Sequence, residues 1–252
     1  MRAMNTNVTI GVYGLGRFGS FWARELVKHG FRVIGYGRSA QHAPEGVILG
    51  TEDEVLATDV LFFCVSISAF SQVLESTSSR ITPSTLVMDT CSVKIYPAKL
   101  MKQKLSPLVN CIATHPMFGP DSGKFSTEGL PMVLCPVNCS QELFQEWVEE
   151  FSKWKLHVLQ MSCEQHDREA AWSQGITHFV GRTLSELSLG ETQLATTGYR
   201  TLMSIVEQTC NDPLQLFYDL QRYNPYAKQM RMGLKGALDT VMQALKDQEK
   251  IQ

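Results

Sequence analysis

The chain lacks several features that would place it in whole classes of protein. Its seven cysteines (64, 91, 111, 135, 139, 163 and 210) form no CxxC pair and are odd in number, so neither a zinc ribbon nor a disulfide framework fits. No apolar run approaches the roughly 18 residues of a membrane span. Basic surplus is absent as well: 23 Lys and Arg stand against 25 Asp and Glu, a net charge of −2, which argues against a nucleic-acid partner. Met1–Asn7 is too short and too polar for a signal peptide, and no Arg/Ser-rich transit segment precedes the first strand. Repeats and low-complexity segments are missing too. These absences lead us to expect a reduced, cytoplasmic protein with no membrane contact, from a bacterium or in processed form.

What remains is 252 residues, 44% hydrophobic and 19% charged, enough for one large domain or two smaller ones. The pattern changes near residue 162. Before it, β-like runs at Asn7–Tyr13, Phe31–Gly35, Val60–Val65, Thr85–Asp89, Cys111–Thr114, Pro131–Cys135 and Leu156–Leu159 alternate with helical segments such as Phe18–His29 and Thr51–Ala57. That alternation predicts a mostly parallel sheet covered on both faces. After Met161 the strands stop. Ser162 and Gln165 form an S-x-x-Q capping box that opens a helical stretch to about Leu189, followed by helices at Gly198–Thr209, Pro213–Tyr223 and Ala227–Lys246. The expected fold is α/β: a doubly wound, Rossmann-type sheet domain over 1–162 and an all-α domain over 163–252. The last helix carries Met230, Met232, Leu234, Leu238, Val241, Met242 and Leu245, an apolar set that needs a partner surface and suggests a homodimer.

Gly14-Leu15-Gly16-Arg17-Phe18-Gly19 is a GxGxxG turn placed after a strand and before a helix. In that setting the first glycine permits the tight turn, the second lets a pyrophosphate reach the backbone, and the third lets helix meet strand. The helix N-terminus then offers N–H groups to the phosphates. An NAD site normally closes its second strand with a carboxylate for the ribose 2′-hydroxyl. Here the strand runs into Gly37-Arg38-Ser39, where Arg38 offers charge-assisted hydrogen bonds and Ser39 a hydroxyl. NADP is therefore favoured over NAD. Ser66, directly after Val60–Val65, joins the cofactor-binding set.

Three further segments carry chemistry: Asp89-Thr-Cys-Ser92-Val-Lys94, Thr114-His115-Pro-Met-Phe-Gly-Pro120, and Ser173-Gln174-Gly-Ile-Thr-His178-Phe-Val-Gly-Arg182. With them the sequence resembles the prephenate/arogenate dehydrogenases of tyrosine biosynthesis, and the stretch from Met161 through His178 to Tyr199 resembles the NADP-dependent plant-type arogenate dehydrogenases in particular. The resemblance runs from the glycine loop to about Tyr226. It implies an oxidative decarboxylation in which hydride leaves C4 of a cyclohexadienol and CO2 leaves C1 as the ring becomes aromatic. The residues suit that demand, because a neutral imidazole is a natural acceptor for the C4 hydroxyl proton near pH 7. By resemblance His115 is that acceptor and Ser92 its orienting partner, while Gln174 and His178 point into a substrate cleft between the domains. His166 and Asp167 lie three helical turns from His178, so no metal cluster is read there; aromatisation drives the reaction without metal or covalent nucleophile.

The choice of substrate turns on one ammonium group, present in arogenate and replaced by a ketone in prephenate. Asp212 matches the acidic position of arogenate-preferring members, although Asp212-Pro213 also reads as an ordinary helix opening. Many bacterial members hold the ring carboxylate with an arginine where this chain has Ser204. Arg200, Lys94 and Arg182 are the cations available to replace it. Three other readings fit less well. A β-hydroxyacid dehydrogenase would need a lysine between Arg168 and Arg182, and a methyltransferase would need an acidic residue after strand two. A non-catalytic NADP sensor would have no use for Ser92, His115 and His178.

Overall fold

The structure, a computed structural model, describes residues 8–249. The stretch Met1–Asn7, including the first residue of the expected opening strand, lies outside them. The chain divides into two compact units, Met1–His166 and Asp167–Gln252.

In the first unit eight strands form one sheet: β1 (Thr9–Tyr13), β2 (Arg32–Tyr36), β3 (Ile48–Leu49), β4 (Val60–Phe63), β5 (Leu86–Asp89), β6 (Asn110–Pro116), β7 (Pro131–Asn138) and β8 (His157–Gln160). Their order is β3-β2-β1-β4-β5-β6-β7-β8. All neighbours are parallel except β6 and β7, which run antiparallel. The helices are α1 (Arg17–Lys28), α2 (Glu52–Leu56), α3 (Ile67–Thr77), α4 (Ile95–Lys104) and α5 (Gln141–Lys153). The short β3 and the helices α3, α4 and α5 were not singled out in the sequence pattern.

Buried strand residues sort by alternation onto two faces. Ile10, Val12, Phe62, Met88, Ile112, Met132 and Leu134 pack with Trp22 and Leu26 of α1 and with Trp147 and Phe151 of α5. On the other face, Phe63 meets Phe70 of α3 edge to face, ring centroids 5.7 Å apart. Burial on both faces explains why β4 and β5 read as continuous apolar runs.

Paired residues show which strand ends share an edge. Tyr13 lies opposite both Tyr36 and Phe63, Phe63 opposite Asp89, and Asp89 opposite Ala113. The glycine loop, Arg38, Ser66 and Ser92 therefore follow strands at one carboxyl edge, where the order turns at β1 between β2 and β4, and His115 lies within the last residues of β6 at the same edge. Ligands of open α/β sheets bind at such a point.

The second unit contains α7 (Ile176–Ser185), α8 (Thr197–Asn211), α9 (Leu214–Tyr223) and α10 (Ala227–Glu249), while α6 (Cys163–Ala170) spans the junction. Ser162 accepts a hydrogen bond from the Gln165 amide at 3.0 Å, one half of the expected capping box. The continuous helix expected to about Leu189 is instead interrupted by a π-helical turn, Ala171–Gly175, and stops at Ser185. Gly181 lets α7 approach α8 closely, since a Cβ there would fall 2.2 Å from the Thr209 hydroxyl. Among the described residues no helix is long and apolar enough to cross a membrane.

Candidate active site

The glycine loop has the geometry that a pyrophosphate needs. Gly14 has φ +112°, and a Cβ there would lie 2.5 Å from the Cys64 carbonyl oxygen. Its amide and that of Leu15 donate to the Tyr36 carbonyl at 2.7 and 3.1 Å, tying the loop to the end of β2. A Cβ on Gly19 would come 1.8 Å from the Gly14 oxygen, so only glycine lets α1 start so close to the strand. Gly16 differs from both: among the described residues nothing lies within 4 Å of where its Cβ would be. Gly16 is also the N-cap of α1, with no side-chain cap and no acidic residue in the first turn. Open space over a helix N-terminus with uncapped donors suits an anion.

Around that loop the remaining cofactor candidates are arranged at the same edge. Arg38 and Ser39 are exposed in the turn after β2, which the Ala40 amide closes onto the Gly37 carbonyl at 3.0 Å. Ser66 is the N-cap of α3 and makes no side-chain cap bond. Arg17 reaches Asp121 of the 117–130 loop at 2.6 Å, both side chains being part-exposed. Phe18 packs against the apolar core and stacks on Trp22, centroids 6.3 Å apart.

One strand further along, Asp89 organises the region around His115. Its carboxylate accepts from the amides of Cys91 (2.9 Å) and Thr114 (3.3 Å), and its carbonyl accepts from the Thr114 hydroxyl at 2.5 Å. The Lys94 ammonium bonds the same carboxylate and also the Thr114 carbonyl. Both charged groups are fully buried. Burial alone would push the proton off Lys94, but the charge and hydrogen bond of Asp89, with Cys91 and Cys135 nearby, together outweigh it and hold the ammonium above its ordinary range. This corrects the expectation that Lys94 binds the substrate carboxylate. Its charge is taken up inside the fold, where it locks the residues after β5 to the end of β6.

His115 follows Thr114 directly and is 2% exposed. Its Nδ1 lies 2.8 Å from Nε2 of His166, near the start of α6, with the rings inclined at 68°. His166 is thus the side chain hydrogen-bonded to the imidazole. Ser92 itself is half-buried on the segment between Asp89 and Lys94. Burial, then the neighbouring imidazole of His166 and the ammonium of Lys94, hold His115 well below the usual histidine range. A ring so placed is neutral at pH 7, as a proton acceptor must be.

The second unit brings together another group. Gln174 Oε1, His178 Nδ1 and Arg182 Nε are buried and have no hydrogen-bond partner among the described residues. They recur four residues apart, so they share one side of the helical rod. Nε2 of His178 is 3.9 Å from the Asp212 carboxylate, beyond hydrogen-bond reach. Burial lowers the His178 pKa, against the opposing pull of Asp212. Arg182 donates from Nη2 to the Asp212 carbonyl at 2.5 Å and lies over the Phe217 ring. Arg200, on α8, is exposed. Buried polar atoms are nearly always satisfied, so three orphans in a row could make hydrogen bonds with a polar ligand.

The sheet order, glycine loop and buried histidine define a Rossmann-type nucleotide-binding unit of the dehydrogenase kind, with a helical unit after it. The model of the prephenate dehydrogenase nucleotide-binding domain matches 22–158, and a TYRAAT1-like C-terminal domain model matches 183–252. Arogenate dehydrogenase 2, chloroplastic, from Arabidopsis thaliana is 36% identical over 94% of this chain and 69% of its own length. Arogenate dehydrogenase 1, chloroplastic, from the same plant is 37% identical over 88% of this chain. This chain spans 37% of the length of that second relative. The chain belongs to the prephenate/arogenate dehydrogenase family. Among solved structures, the prephenate dehydrogenase of A. aeolicus, in complex with hydroxyphenyl propionate and NAD+, superposes with a TM-score of 0.77 at 16% identity, covering 98% of this chain and 93% of that one. Synechocystis arogenate dehydrogenase gives 0.70 at 20% identity, covering 96% and 93%. At such identities these likenesses speak for the fold.

Proposed function

We propose that the chain is an NADP-dependent arogenate dehydrogenase that converts L-arogenate to L-tyrosine by oxidative decarboxylation. The observation that carries this reading is the row of orphaned polar atoms on Gln174, His178 and Arg182, with the Asp212 carboxylate beside His178. A carboxylate there suits the ammonium group that distinguishes arogenate from prephenate.

Gly14, Gly16 and Gly19 with the first turn of α1 would hold the pyrophosphate of the dinucleotide, and Arg38 with Ser39 its 2′-phosphate, with Ser66 nearby. The bound nicotinamide would supply the acceptor for the hydride leaving C4. His115 takes the C4 hydroxyl proton at a ring nitrogen, and Ser92 would bond the same hydroxyl. Gln174 and His178 bind polar groups of the substrate, Asp212 its ammonium, and exposed Arg200 its ring carboxylate, since Arg182 is engaged with the Asp212 backbone. Exposed apolar residues along α10, among them Met232, Leu238, Val241, Met242 and Leu245, support a homodimer.

Prephenate dehydrogenase activity on the same scaffold is the second reading, favoured by the family model that matches 22–158. The test is NADPH formation with NADP and either L-arogenate or prephenate at matched concentration. Strong turnover of arogenate alone supports the proposal. Preference for prephenate keeps the role of His115 and removes Asp212 as the ammonium reader.

A further inference from the structure

The contact between His115 and His166 determines more than packing. A hydrogen bond between two imidazoles contains one proton, so one ring donates and the other accepts. Were His166 the donor, the Nδ1 of His115 would be the acceptor, and the single proton of that neutral ring would sit on Nε2. Nε2 could then take nothing from a substrate hydroxyl. The reverse arrangement puts the proton on Nδ1 and leaves Nε2 with its lone pair. Both rings are 2% exposed and Nδ1 to Nε2 is 2.8 Å, so water does not compete for either nitrogen of this bond. The position of His166 is set independently of any ligand: its amide donates to the Ser162 carbonyl at 3.0 Å as α6 begins, beside the Ser162 cap on Gln165.

We propose that His166 is a positioning residue that accepts the Nδ1 proton of His115 and so fixes the tautomer whose Nε2 lone pair receives the substrate hydroxyl proton. In that step the substrate O–H bond breaks and an N–H bond forms at Nε2. His115 becomes an imidazolium still held through Nδ1 by His166, and the extra proton leaves to solvent before the next turnover. The Lys94 ammonium, fixed on Asp89, disfavours a resting imidazolium and so keeps the accepting nitrogen available. The inference rests on His115 being the proton acceptor of the proposed reaction.

Its first test needs neither substrate nor cofactor. Long-range 1H–15N correlation of the 15N-labelled protein near pH 7.5, with His115 assigned by loss of its signals in His115→Gln, should show Nδ1 protonated and Nε2 bare. The opposite tautomer would overturn the proposal. In kinetics, His166→Leu should lower kcat by ~10²- to 10⁴-fold, the scale of a misdirected base, with KM within about twofold. His166→Gln keeps an acceptor oxygen near the position of Nε2 and should recover at least about tenfold over the Leu variant. Equal activity of the two variants, or a raised KM with kcat intact, would sink the idea. If His166→Leu fails to fold, the tautomer of the native protein decides. If the native protein turns over neither arogenate nor prephenate, the functional reading fails, and the NMR result still judges the pairing.

Discussion

Lys94 lies on the carboxylate of Asp89, five residues before it, and neither side chain touches solvent. A pair of this kind contributes little net stability compared with an apolar replacement of both partners, yet removing one partner leaves a buried charge uncompensated. Lys94→Met should therefore destabilise the protein by about 3–5 kcal/mol. Urea unfolding followed by tryptophan fluorescence measures this, since Trp22, Trp147 and Trp154 all lie in the same unit as the pair. A loss below about 1 kcal/mol, the level of a surface ion pair, would contradict the burial described for Lys94.

Arg38 tests the choice of cofactor. It is exposed in the turn where the second strand of an NAD site would present a carboxylate. A charge-assisted hydrogen bond contributes about 1.5–3 kcal/mol, so Arg38→Ala should raise the KM for NADP ~10- to 100-fold. The KM for NAD, which has no 2′-phosphate, should stay within about twofold. Equal effects on both would show that the discriminator lies elsewhere.

For Asp212 the relevant quantity is a ratio. Asp212→Asn keeps the shape of the side chain and removes its charge, so kcat/KM for arogenate should fall ~10- to 100-fold relative to that for prephenate. An unchanged ratio would leave Asp212 with a purely structural part between α8 and α9.

The buried histidines make stability depend on pH. Burial, the first cause in each case, holds His29, His115 and His178 below the ordinary histidine pKa. Each ring is neutral in the folded chain, whereas the unfolded chain takes up a proton below about pH 6.5. The stabilisation from keeping them neutral is complete above that pH and is lost as pH falls from ~6.5 towards the folded pKa values. The urea midpoint should therefore be lower at pH 5.5 than at pH 7.5. A flat profile across that window would mean that the rings are solvated.

Much of this arrangement was legible in the sequence because its signals are local. The glycine turn, the strands β1, β4 and β5 and the cap at Ser162 each rest on residues a few positions apart. His166 was visible only as half of an unconvincing metal pair, because its partner His115 lies 51 positions away and no periodicity links them. Lys94 was misread for a related reason: a lysine after a strand looks like an anion ligand until the Asp89 carboxylate is seen to bury it. Arg182 and Asp212 are joined through a backbone carbonyl, a contact that side-chain chemistry does not announce. The π-helical turn at Ala171–Gly175 gives no compositional cue of its own, and it accounts for the break in a helix that otherwise reads as continuous.

Strand β6 runs on past its parallel neighbour. Its pairing with β5 ends at Ala113, while Thr114, His115 and Pro116 remain paired to β7 alone. His115 is thus mounted on a strand end held by the β7 ladder on one side and, through Thr114, by Asp89 and Lys94 on the other. A side chain carried in this way is ordered by folding itself, so no loop has to close to bring it into place, and the entropy of positioning it is lost before any ligand arrives. Amide exchange at Thr114 and His115 should then be as slow in the ligand-free protein as in the loaded one.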